Sequence, residues 1–313
     1  MWEKSKPPAL YHKARLRLMI GAAGLLASAA LASSVSAQAC DLVVRDGPQT
    51  VRIEYNPFAI GPSSGALDIG LENRGDAACD LRMSFTDDVG LEVTSVVLGN
   101  VGVQFRPREA SGVQTADVQT AVFQYQLPAG AKGRAQFDAA VVQGAVADAG
   151  EYGVNLRLVM KTADGEPIGA PIPVRLILQA TPRAQLNLAG AAGAFGTGSS
   201  VEVVDFGEAI AGVTRRIFLQ VRANTLATVS IASQHGGVMH RVEEAPNAPA
   251  LPYTVELDGD DVDLSALWTK QIDPPRTLAG IIHSDDLRSG SGRRGHGGAL
   301  CGCSHHRHLS EVD

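Results

Sequence analysis

The chain is short of aromatic rings, of cysteine and of charge of either sign, and each shortage excludes something. Phe, Trp and Tyr make up 5% of its 313 residues, so Val, Ala, Leu and Ile have to build most of any core. Four cysteines are too few for a small scaffold held by disulfides. A net charge of -6 gives no basic face and argues against a nucleic-acid partner. No stretch carries a long apolar stripe of 3.6-residue period with caps, so helices are not expected. Beyond residue 37 no apolar run is long enough to cross a bilayer. What is abundant is Gly, Ala and Val, and the length suits about two domains.

The N-terminus is basic, with Lys4, Lys6, Lys13, Arg15 and Arg17, and an apolar run follows, "LMIGAAGLLASAALASSVSA". Val35-Ser36-Ala37 offers the small residues that signal peptidase needs, which predicts a signal peptide over 1–37 and a mature chain starting at Gln38. A membrane anchor is the competing reading, but the run is short and rich in Ala and Ser. Export would allow Cys40 and Cys79 to pair in an oxidising compartment. A lipid on Cys40 is the alternative. "AQAC" suits it poorly, with Gln38 where a small residue is expected and Ala37 where Leu is usual.

The mature chain alternates apolar and polar residues almost throughout. "TVRIEY", "ALDIGLEN", "DLRMSF", "LEVTSVVL", "AVFQYQL", "RAQFDAAVV", "YGVNLRLVM" and "PVRLILQA" read as strands separated by turn residues. Short strands at this spacing predict an all-β protein of two immunoglobulin-like sandwiches. The first is expected over 38–182. A break follows at "TPRAQLNLAGAAGAFGTGSS". Its Gly190, Gly193, Gly196 and Gly198 lack the following helix and Lys-Ser/Thr pair of a phosphate loop, so a linker or hairpin fits better. The second sandwich is expected over 183–280, from "VEVVDFG", "TRRIFLQVRA", "ATVSIAS" and "PYTVELDG". Arg215, Arg216 and Arg222 lie near Glu202, Asp205 and Glu208 and read as a solvated strand face. Asn73 and Asn224 each close a strand before a short turn, a weak sign of internal repetition explained by asparagine's tolerance of left-handed turns.

Three blocks of the second sandwich, "VVDFGEAIAG", "LQVRANTLATVSIAS" and "LPYTVELDG", come in an order that resembles the spore coat protein U-like domain of archaic chaperone–usher pilins. The matching positions are Phe206, Gly207, Leu251, Pro252, Tyr253 and Thr254. The first sandwich is similar more loosely, through "YNPF" (55–58), Asn73 and Cys79. The resemblance implies an incomplete sandwich, completed by a strand lent first by a periplasmic chaperone and then by the next subunit. It implies a structural or adhesive fibre subunit with chaperone, outer-membrane usher and other pilus subunits as partners, a surface or glycan receptor, and no reaction or cofactor. The predicted mature start, "QACDLVV", leaves little extension to donate, which points to the tip of the fibre. A secreted carbohydrate-binding or accessory sandwich, and a pilus chaperone, are the alternatives.

Domains of this kind end in an alternating strand, whereas residues 281–313 lose alternation and read as an irregular tail. Cys301, Cys303, His305, His306 and His308 could chelate zinc or copper, but five ligands on one flexible segment make no built site. A one-base shift of frame turns Cys and His codons here into Ala, Val, Thr or Ile, which is the missing strand. The tail is therefore read as out of frame, with a disordered tail and a metal tail as the other readings. Two further sets are weak. His235 and His240, with Ser233 nearby, sit in a Gly-rich turn and lack an orienting group. Asp258, Asp260, Asp261 and Asp263 resemble a calcium loop but lack its twelfth-position Glu.

Overall fold

The computed structural model describes residues 39–189, 204–206, 211–241, 250–290, 300–301 and 309–311. The expected signal peptide, Gly190, Gly193, Gly196, Gly198, Glu202, Gly207, Glu208, Cys303, His305, His306 and His308 lie outside these. The chain divides into Met1–Ala37 and Gln38–Asp313, and everything described belongs to the second unit. Among the described residues every regular element is a strand.

The first sandwich contains β1 (Leu42–Val44), β2 (Gln49–Tyr55), β3 (Ser64–Asn73), β4 (Cys79–Thr86), β5 (Val96–Leu98), β6 (Val101–Pro107), β7 (Gln114–Asp117), β8 (Val122–Leu127), β9 (Lys132–Val141), β10 (Gly150–Thr162) and β11 (Ile172–Ala180). One sheet runs β1-β3-β9-β6-β5 and the other β2-β11-β10-β4-β8-β7. The alternation in the sequence sets which face is buried. β3 turns Leu67, Ile69 and Leu71 inward and Asp68 outward, and β9 turns Ala135, Phe137 and Ala139 inward. The scarce aromatics are concentrated here. Phe85 stacks on Phe105 with ring centres 3.8 Å apart, and Phe123 and Phe137 meet it edge-on. Cys40 and Cys79 form a disulfide that ties the chain just before β1 to the start of β4. Beside it Gly75 passes so close to the Ala39 carbonyl that a Cβ would lie 2.0 Å from that oxygen.

The second sandwich contains β12 (Ala184–Ala189), β13 (Thr214–Ala223), β14 (Ala227–Ile231), β15 (Val238–Arg241), β16 (Leu251–Leu257), β17 (Asp260–Val262), β18 (Trp268–Ile272), β19 (Ile281–Ser289), β20 (Leu300–Cys301) and β21 (Leu309–Glu311). One sheet runs β12-β13-β19-β16-β15-β20 with β17 on β16, and the other β18-β14-β21. The core gathers Leu219, Val221, Val229, Ile231, Tyr253, Val255 and Leu257.

Three expectations need correction. Residues 281–289 are not part of an irregular tail: β19 lies in the middle of its sheet, paired to β13 and β16. The tail also contributes β20 and β21. Backbone groups can pair whatever side chains they carry, so loss of apolar alternation did not prevent strands. In "VEVVDFG" the described residues 204–206 are not in a strand. Asn73 and Asn224 are not among the residues with positive φ. They act through their side chains instead, each pinning the strand that enters its sandwich. Asn73 Oδ1 accepts from the Asp41 and Gly75 amides, and Asn224 Oδ1 accepts from the Arg183 amide at 2.7 Å.

Candidate functional site: the free edge of β21

The two sandwiches are laid out alike. The order β1-β3-β9-β6-β5 is matched by β12-β13-β19-β16-β15, and β8-β4-β10 by β18-β14-β21. They differ at the rims, where β7 borders β8 while β20 borders β15 and β17 borders β16, and they differ beside β10. In the first sandwich β10 has a neighbour on each side: β4 along six pairs, and β11 along nine, from Gly150↔Ala180 to Leu158↔Ile172. β11 runs parallel to β2 on its other side. In the second sandwich β21 pairs, among the described residues, with β14 alone, from Ala227↔Glu311 to Val229↔Leu309. Among the described residues no strand takes the place that β11 takes in the first sandwich. β12 approaches β21 without forming a ladder with it.

β11 shows what such a strand contributes. It buries Ile172, Val174, Leu176, Ile177 and Leu178 to 5% exposure or less. At about 1.5–3 kcal/mol for each buried aliphatic side chain, these five are worth roughly 10 kcal/mol, as much as a whole domain's stability. In the second sandwich Ala184, Leu186, Phe206, Ile217 and Trp268 pack on the core while only partly buried.

The residues singled out in the sequence fall as follows. On β16, Leu251 and Tyr253 face the core and Pro252 and Thr254 face outward. Phe206 is half-buried against the same core. The Ser233 hydroxyl lies 2.9 Å from the Tyr253 hydroxyl and accepts from the Gly237 amide at 2.9 Å. His235 and His240 meet edge-to-face with ring centres 4.9 Å apart. No hydrogen bond from either ring to Ser233 is found among the described residues. Asp258 and Gly259, at φ +52° and +87°, form a two-residue turn between β16 and β17. The acidic residues there turn to separate partners: Asp258 to His283 and the Ser284 amide, Asp260 to Lys270, and Asp263 to Ser265. Arg216 grips Asp286 through two nitrogens at 2.6 and 2.8 Å, while Arg215 donates to the carbonyls of Asp205 and Phe206.

Sequence reading missed His283 and Asp285. Both face the core from β19, although the matching inward positions on β9 are Ala135, Phe137 and Ala139. His283 bonds Asp258 through Nδ1, but its buried Nε2 has no hydrogen-bond partner among the described residues. Partial burial pushes the Asp258 carboxyl up. The hydrogen bonds from His283 and the Ser284 amide and the charges of His283 and Lys270 outweigh that and hold it below its ordinary value.

No protein-family model matches the chain, and no curated protein matches it in sequence. Among solved structures it is similar in outline to the complex of a chaperone with the tip adhesion subunit of archaic chaperone–usher Csu pili of Acinetobacter baumannii. That match has 11% identity and a TM-score of 0.42, over 87% of this chain and 100% of that one. It is also similar to the CupB6 tip adhesin of Pseudomonas aeruginosa, at 10% identity and a TM-score of 0.32, over 80% of this chain and 87% of that one. A chaperone–tip adhesin complex of CFA/I fimbriae gives 11% and 0.35, over 85% and 97%. Likeness at these scores is one of general outline.

Proposed function

We propose that the chain is an exported structural or adhesive subunit of a chaperone–usher surface fibre, completed in its second sandwich by a strand from another protein. The observation that carries this reading is the side of β21 that no described strand covers, where the first sandwich has β11. An incoming strand would gain main-chain hydrogen bonds along β21 and place alternate apolar side chains over the partly covered core. The chaperone would supply that strand in the periplasm and a neighbouring subunit would supply it in the fibre, with the usher as the assembly platform. The first sandwich would face the receptor, a surface or a glycan. A place at the tip rests on the expected cleavage after Ala37, which would leave no segment ahead of residue 40 long enough to donate. Residues 40–55 are built into the first sandwich as β1 and β2, and Cys40 is bound to Cys79, so that stretch is not free to be donated.

The test is to supply the strand in cis. A nine-residue segment of alternating apolar residues, about the length of β11, is joined after Asp313 through a short Gly/Ser linker. There it can fold back antiparallel to β21. The fused chain is expected to be monomeric, with a cooperative transition for the second sandwich. The unfused chain, without a chaperone, is expected to aggregate or self-pair. A fusion with Asp and Ser at the inward positions should not rescue it. If the unfused chain is an equally stable monomer, the reading fails in favour of a self-sufficient carbohydrate-binding or accessory sandwich.

A further inference from the structure

Three residues, Thr181, Pro182 and Arg183, join the sandwiches, and none of them is slack. The Thr181 amide and hydroxyl both donate to the Tyr55 carbonyl, at 3.1 and 3.3 Å. Pro182 has its φ fixed by its ring. The Arg183 amide donates to Asn224 Oδ1 at 2.7 Å, and the Asn224 amide donates back to the Arg183 carbonyl at 3.1 Å. Asn224 Nδ2 donates to the Thr181 carbonyl at 3.0 Å. The Asn224 carbonyl accepts from the Ala149 amide, in the β9–β10 loop of the first sandwich, at 2.9 Å. One fully buried residue therefore holds the linker, the end of β13 and the first sandwich together.

The loop it reaches is fixed in advance. The Tyr55 hydroxyl donates to the Ala145 carbonyl, and the Tyr152 hydroxyl donates to the Asp148 carbonyl at 3.1 Å. Val146 and Ala147 between them are buried. Asp148 is thus presented to Arg276 of the second sandwich, whose guanidinium is already held by Asp273 and the Pro274 carbonyl. On another side the Arg222 guanidinium lies 4.6 Å above the ring centre of Phe58 while donating to Gln185 and the Leu278 carbonyl.

We infer that this junction is a locked joint, with Asn224 as its positioning residue, so that the two sandwiches move as one body. The default for domains in one chain is relative motion unless the interface opposes it. Here the opposition comes from hydrogen bonds that a fully buried side chain, Asn224, makes to main-chain groups, which cannot rotate away as exposed side chains do. The first sandwich is then carried at a set angle on the second, and a pull on one passes to the other through Asn224 and Arg276 as well as through the linker.

Arg183 makes the joint testable. It is exposed, so trypsin can reach the side chain, but its amide and carbonyl are both tied. In the full chain carrying the fused strand described above, cleavage after Arg183 is expected to be slow. Asn224→Ala should speed it about tenfold or more and release two sandwich-sized fragments, with a smaller increase for Arg276→Ala. Cleavage after Arg183 in the unaltered chain as fast as in Asn224→Ala would overturn the inference. If Asn224→Ala unfolds the second sandwich, cuts appear after Arg215, Arg216 and Arg222 as well. The decision then passes to nitroxide labels at Val118→Cys and Leu267→Cys in a chain carrying Cys301→Ser and Cys303→Ser. One narrow distance distribution supports the locked joint, and a broad one overturns it.

Discussion

At the scale of single residues, a few side chains set the geometry that the strands then follow. Cys79 is fully buried at the head of β4, and Cys40 pins the chain entering β1 beside it. Closing a loop across a separation of 39 residues constrains the unfolded chain by up to about 4 kcal/mol in the chain-entropy account. Replacing both cysteines by serine should therefore lower the unfolding free energy of the first sandwich, read from urea titration, by that order, shift its midpoint down accordingly, and leave the transition of the second where it was. Unchanged midpoints would mean that β1 holds without the bridge. The pairing was legible in the sequence because the expected export allows a disulfide and the first sandwich has only Cys40 and Cys79. The role of Asn73 and Asn224 was only half legible. Their recurrence stood out, but a reason based on turn conformation was assigned. The local part of the reason, bonds to Gly75 and Ala77 within the turn, is visible in the sequence, whereas the bonds of Asn73 to residues 32 to 55 positions away cannot be seen in a local pattern.

At the scale of elements, strands with clean alternation were readable and those without it were not. "TVRIEY" and "PVRLILQA" became β2 and β11 because each has one face for the core. β19, "IIHSDDLRS", has no such face, and it was missed. Its place is fixed by ladders to β13 and β16, which are long-range and leave no mark in its own residues. The comparison with β9 is informative. Where β9 buries Ala, Phe and Ala, β19 turns in His283 and Asp285, and burying such groups costs free energy that a strand selected for its core would not lose. The shift of frame inferred for the Cys/His-rich tail is accordingly expected to begin before His283. Sequencing the coding DNA from the codon of Trp268 onward should reveal a one-base change that restores apolar alternation. An intact frame, with stops in the shifted one, would refute it, and the tail would then stand as written. The side of β21 that no described strand covers left no mark in the periodicity, because alternation reports the strands a chain has and the pairing pattern alone reports their neighbours.

At the scale of the whole molecule, the carboxylates set the response to acid. Burial pushes Asp68 up, but hydrogen bonds from Arg134 and Gln136 and the charges of Arg134 and Arg108 bring it below its ordinary value. Asp258 is lowered in the same way, and Arg216 holds Asp286 low through its hydrogen bonds and charge, against a smaller opposing effect of burial. A carboxylate lowered on folding adds stability that is fully present above its unfolded value and is lost as pH falls through its folded value. The melting temperature should then be level around neutrality and fall once the pH drops below about 4. Asp68→Asn should flatten that fall in the first sandwich. An equally steep acid limb in the variant would show that Asp68 has no part in it.

β11, the strand that closes the first sandwich, also has a consequence in time. It is the last strand of that sandwich to be made, and its partner β2 is among the first, so their parallel ladder from Val174↔Gln49 to Ala180↔Tyr55 joins residues 125 apart in sequence. Contacts of that span slow folding, because the loop has to be closed before the ladder forms. Until Ala180 has emerged, the first sandwich presents beside β10 a flank like the one that no described strand covers beside β21. On the proposed reading, a strand-lending helper would meet two clients in succession on one chain, the first for a short interval that ends when β11 arrives, and the second until assembly.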